Sequence, residues 1–353
     1  MQDDTELLRL MMEDQERQGP LYRPGPHWRA YQRRIVHAIR KHGLARFRSL
    51  PAIGKGYADV AVADPAELWP QGSVKTVAKQ AIMRMPGFRQ VVDQYQKNLR
   101  SRNRQIQKLT RFYYKIQYDS WFQNMKSEYS IPETLHGGAE VTVELDGDEV
   151  SELYVIQLLR IHNFCPFANF DRAQSIFEIG GGYGSNMHLL LTMFPNIRKV
   201  IYLDIPPVLY VATQYLREFF PEAVVDYRAT RSVQEITFQP DDRREIICIC
   251  PWQIPRIDSR IDVFWNAASF AEMPQDVVVN YAKYARQLVS RPDGLVLLAL
   301  QTPLDRPDDG GPDGYAYGHE IMAAFEPTFA FEAVPPRIEA ETPSIHYRGH
   351  FSQ

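Results

Sequence analysis

Glu178, Gly180, Gly182 and Gly184 stand at alternate positions in the run Ser175-Ile-Phe-Glu-Ile-Gly-Gly-Gly-Tyr-Gly-Ser185, where a short apolar segment gives way to a helix-forming one. Glycines at such a strand-to-helix turn leave out the Cβ atoms and let a ligand lie against the backbone. Twenty residues after Gly184, a second apolar run ends at Asp204, whose carboxylate can accept both hydroxyls of a ribose. Glycine loop, strand context and acid therefore point to one nucleoside-bearing ligand.

A dinucleotide site uses the same turn but needs glycines at positions 1, 3 and 6. Counted from Gly180 the sixth position is Ser185, and counted from Gly182 it is Met187, so the third glycine is missing. Glu178 would repel a pyrophosphate and attract an ammonium. The ligand that fits carries ribose, adenine and a zwitterionic amino acid, which describes S-adenosylmethionine.

The elements that would position these residues alternate. Strands are expected at Ser175 to Ile179, Lys199 to Asp204, Ile246 to Cys250, Ile261 to Asn266 and Gly294 to Leu300, with helices over about 186–194, 207–219 and 275–289 between them. That is the pattern of a parallel, doubly wound α/β sheet. Phe329 to Val334 and His346 to Phe351 would close it, and residues 149–164 read as a helix leading into the first strand. Val141, Val143 and Leu145, flanked by Gly137-Gly138 and Asp146-Gly147-Asp148, suggest a small hairpin. Residues 1 to about 130 read as helical, with the longest helix expected from Phe88 to Lys126. The expected domains are a mostly helical N-terminal cap and dimerisation domain over 1–135 and a cofactor-binding sheet domain over 136–353.

Glu178-x-Gly180-x-Gly182-x-Gly184 followed by Asp204 resembles motif I and its partner acid in class I methyltransferases that use S-adenosylmethionine. More narrowly, FEIGGGYGS, YLDIPPVLYVATQYL and DVFWNAASFAEMP are similar to a group of sugar O-methyltransferases with a long helical N-terminal region. The resemblance covers about residues 149–300 and implies a Rossmann-like sheet with helices on both faces. It implies Glu178 near the methionine amino group, Gly180, Gly182 and Gly184 as the backbone wall, Asp204 on the ribose and Ile205 against the adenine. The third strand ends at Cys250-Pro251-Trp252-Gln253, where such folds place adenine contacts, so Trp252 would stack on the ring and Gln253 bond its edge, unless Trp252 plugs an interdomain seam. Asn266, at the end of the fourth strand, is counted with the cofactor-binding residues.

Methyl transfer to a sugar hydroxyl needs a group to take the proton, and the loops past the carboxyl ends of the strands offer Glu272 and His319. Each has a plainer alternative: a helix-terminal charge for Glu272 and a surface role for His319. N-methylation of a cationic amine or guanidine, such as an arginine-like free amino acid, is the second chemistry, with Glu272 and Glu320 binding the cation. Further alternatives are an RNA methyltransferase using the basic, aromatic stretch Arg100 to Arg111, and a silent cofactor-binding scaffold.

Composition narrows the rest. The 353 residues carry a formal net charge of −3, but residues 1–130 hold 23 basic and 12 acidic side chains and the remainder 17 and 31. A basic helical segment against an acidic catalytic half accounts for that split and leaves no need for nucleic acid. Three cysteines, Cys165, Cys248 and Cys250, make no disulfide framework and suit a reducing cytoplasm. No signal peptide or membrane span is expected. Asp305, Asp308, Asp309 and Asp313 read as a solvated acidic loop rather than a metal site, and Cys248 and Cys250 lack companions at zinc spacing. The expected partners are a small-molecule substrate and a second copy of the chain, as a homodimer formed through the N-terminal helices.

Overall fold

The computed structural model describes residues 1, 3–50, 53, 108–109, 111–300, 304–305, 315–338 and 345–352. It divides into two compact units: Met1–Ala45 with Tyr129–Pro132 and Tyr154–Gln353, and Arg46–Glu128 with Glu133–Leu153. The described residues of the expected 1–135 domain are thus split, with 1–45 folding in the same unit as the sheet. Most of the expected Phe88 to Lys126 helix, most of the basic stretch Arg100 to Arg111, and Asp308, Asp309 and Asp313 lie outside the described residues.

In the smaller unit, a helix over residues 111–128 accompanies a hairpin of β1 (Thr142–Leu145) and β2 (Asp148–Ser151). Arg48 is fully buried there and donates to the carbonyls of Thr134 and His136 and to Ser151 Oγ. Those bonds offset the cost of burying a guanidinium.

The larger unit holds one eight-stranded sheet. In chain order its strands are β3 (Ser175–Ile179), β4 (Lys199–Leu203), β5 (Val224–Val225), β6 (Glu245–Ile249), β7 (Val263–Ala267), β8 (Leu295–Leu300), β9 (Phe329–Val334) and β10 (Ile345–Phe351). They lie in the order β5-β6-β4-β3-β7-β8-β10-β9, parallel from β5 to β8, with β10 antiparallel to both of its neighbours. Every residue of β3 and of β8 is buried, as befits strands inside a parallel sheet, and β8 is apolar throughout while β3 carries Ser175 and Glu178. This is a Rossmann-like α/β sheet, as expected. Its strand order reverses on either side of β3, so the crevice opens where β3, β4 and β7 end.

The helices follow the expected positions closely. Ser185–Met193 leaves the glycine loop, Pro206–Phe219 follows Asp204, and Gln275–Val289 links β7 to β8. The short edge contributed by β5 and Tyr227–Thr230 has too little periodic sequence to be seen beforehand.

Two N-terminal helices belong to this unit. The first, α1 (Thr5–Gln15), is capped by the Asp4 carboxylate on Leu7 N at 3.2 Å and buries Leu7, Leu8 and Met11. Its far end is tied down at Asp14, which accepts from Tyr227 Oη at 2.7 Å and from Arg231 Nε at 2.6 Å and Nη2 at 3.0 Å. The Arg231 guanidinium holds the Asp14 carboxyl below its usual value. The second, α2 (Pro26–His42), carries Arg40, Lys41 and His42 in its last turn, where cations suit the helix dipole, and ends at Gly43 with φ of 68°. We expect Asp14→Ala to strip both donors of their acceptor and cost about 1–3 kcal/mol of stability, read as a lower urea midpoint; an unchanged midpoint would contradict the anchoring role of this carboxylate.

Candidate functional site

The glycine loop joins β3 to the helix Ser185–Met193. Gly180, Gly182 and Gly184 all take left-handed backbone conformations, with φ of 70°, 70° and 93°. A side chain at Gly180 is excluded twice over, by that φ and by Ser269, whose Cβ and Oγ would lie 2.3 Å from the added Cβ. The loop is therefore clasped between β3 and the turn after β7.

Glu178, on the fully buried β3, is fully buried itself. Asn186 Nδ2 donates to its Oε1 at 2.9 Å, while its Oε2 has no hydrogen-bond partner among the described residues. Burial pushes the carboxyl up to about 8; the Asn186 bond opposes this and the Asp204 charge adds to it. A Cβ on Gly181 would lie 2.3 Å from Oε2, so the acid packs directly under the loop. A buried carboxylate oxygen with no donor is an unmet cost that a cationic ligand would remove.

Asp204 follows β4 and is 8 % exposed. Its Oδ2 accepts from Gly182 N at 3.1 Å and its Oδ1 from Ile205 N at 2.7 Å. Burial raises it to about 7 against those two amide bonds, and the negative charge of Glu272 adds to the rise. Tyr202 Oη, opposite Glu178 in the β3–β4 register, donates to the Gly182 carbonyl at 2.7 Å. Both acids thus meet at the glycine loop, one under it and one across it. Ile205 is partly exposed beside Asp204, at the start of Pro206–Phe219.

Other expected residues have different partners. Asn266 is fully buried and donates to the Ile179 carbonyl at 2.9 Å and to Ser269 Oγ at 2.7 Å, while its Oδ1 accepts from Phe270 N at 3.2 Å. It holds the turn after β7 in place and does not present its amide to a ligand. Gln253 is fully buried, with its carbonyl on Cys250 N at 2.8 Å and its amide donating to the carbonyl and hydroxyl of Thr230 at 2.9 and 3.0 Å. An adenine edge would have to displace bonds already made. Trp252 packs edge-on against Tyr227 and donates to its hydroxyl at 3.3 Å, beside a 520 Å³ cleft that Asp14 and Arg231 also line.

The turn after β7 is strained in one place: Ala268, not a glycine, has φ of 71°. It leads into Ser269–Glu272, and the Glu272 carboxylate accepts a bond from Trp28 Nε1 of α2 at 2.7 Å. His319 is 59 % exposed at the start of Gly318–Ala323, with its Nδ1 2.5 Å from Asp305 Oδ1. Glu320 caps that helix by accepting from Tyr317 N at 3.0 Å. The negative charge of Glu272 helps to raise the Asp204 carboxyl. No cluster of metal-ligating side chains occurs among the described residues.

Asn186, Tyr202, Ser269 and Trp28 escaped the sequence reading. Asn186 was the most visible, eight residues after Glu178 in the first turn of the helix behind the loop. Trp28 carried no signal, since nothing local places it 244 residues away at Glu272.

No protein-family model matches the chain, and no curated protein does. Among solved structures, the mitomycin 7-O-methyltransferase MmcR is 20% identical over 55% of this chain and 54% of its own, with a TM-score of 0.39. Human N-acetylserotonin methyltransferase, in complex with SAM, is 13% identical over 56% and 52%, with a TM-score of 0.37. The cyclopropane synthase MmaA2 from Mycobacterium tuberculosis is 14% identical over 52% and 63%, with a TM-score of 0.36. The match spans about half the length of the first two.

The raised Glu178 pKa yields a test with a definite sign. Unfolded, the carboxyl releases its proton near 4.5; folded, it holds it to about 8. Its contribution to stability is therefore complete below pH 4.5 and lost as the pH rises through about 8. Glu178→Gln should lose less melting temperature between pH 5 and pH 9 than the wild type, and should bind S-adenosylhomocysteine about tenfold or more weakly. Equal pH dependence with equal affinity in calorimetry would contradict the role given to Oε2.

Proposed function

We propose that the chain is a methyltransferase that uses S-adenosylmethionine to methylate a small polar acceptor, a sugar hydroxyl being the favoured class. One observation carries the reading: the buried, donor-less Oε2 of Glu178 beneath a loop of left-handed glycines, with Asp204 across that loop. The cofactor, when bound, would supply an electrophilic methyl group on a sulfonium sulfur. Glu178 would hold its ammonium, Asp204 the ribose hydroxyls, and Ile205 one face of the adenine. Trp252 and Gln253 have weaker claims, given the bonds they already make.

On the acceptor side, the chain must orient a nucleophile and take its proton. Glu272 is the candidate catalytic group: it sits on the turn that clasps the glycine loop and shares the electrostatic field of Asp204. His319, exposed and bonded to Asp305, is the lesser one. A cationic amine or guanidine acceptor is a second reading, favoured by the three acids Glu178, Asp204 and Glu272 gathered at the crevice. Glu320 no longer supports it, being engaged as a helix cap.

The same proposal takes the protein as a cytoplasmic homodimer joined through N-terminal helices, which sedimentation would check. Among the described residues no helix is long and apolar enough to cross a membrane. The direct test of function is a screen of sugars and amines with labelled cofactor. With the acceptor in hand, Glu272→Gln should lower kcat by about 10²–10⁴-fold and leave S-adenosylhomocysteine affinity within about threefold. Unchanged kcat would remove Glu272 from the chemistry.

A further inference from the structure

We propose that Trp28 is a positioning residue for Glu272: its indole N–H fixes one carboxylate oxygen, so that α2 sets the geometry of the group that receives the acceptor's proton. This rests on the proposed function of the site. Trp28 lies in the first turn of α2 and donates from Nε1 to Glu272 Oε2 at 2.7 Å. Its ring is tilted against Tyr31, with centroids 5.9 Å apart. The approach of the two segments is continuous, since a Cβ on Gly25 would lie 3.2 Å from Pro274 Cδ.

The chemistry of the contact suits positioning. An indole is a donor only, so it orients a carboxylate without accepting a proton from it. Lysine or arginine in its place would bring a full positive charge and quench the base. The carboxylate at the end of a glutamate side chain can turn about several torsions. A charge-assisted bond from a fixed ring opposes that rotation. Glu272 ends the turn Ser269–Glu272 that begins at the strained Ala268, so its own backbone is already set and the indole orients the remaining side-chain torsions.

Trp28→Phe keeps an aromatic ring under α2 and deletes the donor. Expected is a fall in kcat of about tenfold, with the KM for S-adenosylmethionine and the affinity for S-adenosylhomocysteine unchanged. In a Glu272→Gln background the same change should have no further effect on kcat, because the residue it positions is gone. Additive losses in the double variant would overturn the proposal and assign Trp28 a separate structural role. A second readout needs no turnover: the chain has five tryptophans, and the indole ¹⁵N resonance that disappears in Trp28→Phe should move in Glu272→Gln. An unmoved resonance would overturn the contact itself. If the resonance moves but Glu272→Gln leaves kcat intact, the contact stands, while the catalytic reading of Glu272 and the positioning role fall together.

Discussion

A carboxylate placed on the central strand of a parallel sheet governs the rest of this structure. The interior there is apolar on both faces, and a charge is costly in it unless something compensates. Glu178 receives one bond, from Asn186, and its second oxygen stays beneath the glycine loop. The absence of side chains at Gly180 and Gly181 then has two consequences. Gly181 leaves room for the acid, and Gly180 lets Ser269 close over the loop from the far side of β7. Asp204 adds a second buried acid at the same loop, and burial raises both carboxyls, Glu178 to about 8 and Asp204 to about 7.

The turn after β7 is the other fixed feature. Asn266 and Ser269 both bond the Ile179 carbonyl, which couples the end of β3 to that turn through two side chains. Glu272, three residues further on, is thereby placed relative to the glycine loop by a chain of buried hydrogen bonds. The N-terminal helices belong to the same unit and are tied to it through side chains. Asp14 pins α1 to Tyr227 and Arg231, and Trp28 of α2 reaches Glu272 itself. The turn that clasps the glycine loop thus gains a contact from a segment remote in sequence.

Much of this was legible from residue type and spacing. Continuous apolar runs marked the parallel strands, because a strand buried on both faces has no polar alternation to hide it, and Glu178, Gly180, Gly182, Gly184 and Asp204 fell at the strand ends where the sheet's crevice opens. What escaped was tertiary. Asn266 and Gln253 had the right chemistry and the right strand ends, yet their amides are spent on the backbone, and no local pattern separates a buried clip from a ligand contact. The grouping of residues 1–45 with the sheet was hidden by the basic, helix-forming composition they share with residues 46–130; their apolar residues Leu7, Leu8 and Met11 show a buried face but not its partner. Trp28 depends wholly on that grouping.

The central claim is that Glu178 waits for a cation. A crystal structure of the complex with S-adenosylhomocysteine tests it most directly. The account predicts the ligand's ammonium within about 3 Å of Glu178 Oε2, with its ribose hydroxyls on Asp204. A ligand bound with its ammonium elsewhere, and Oε2 still without a donor, would contradict it.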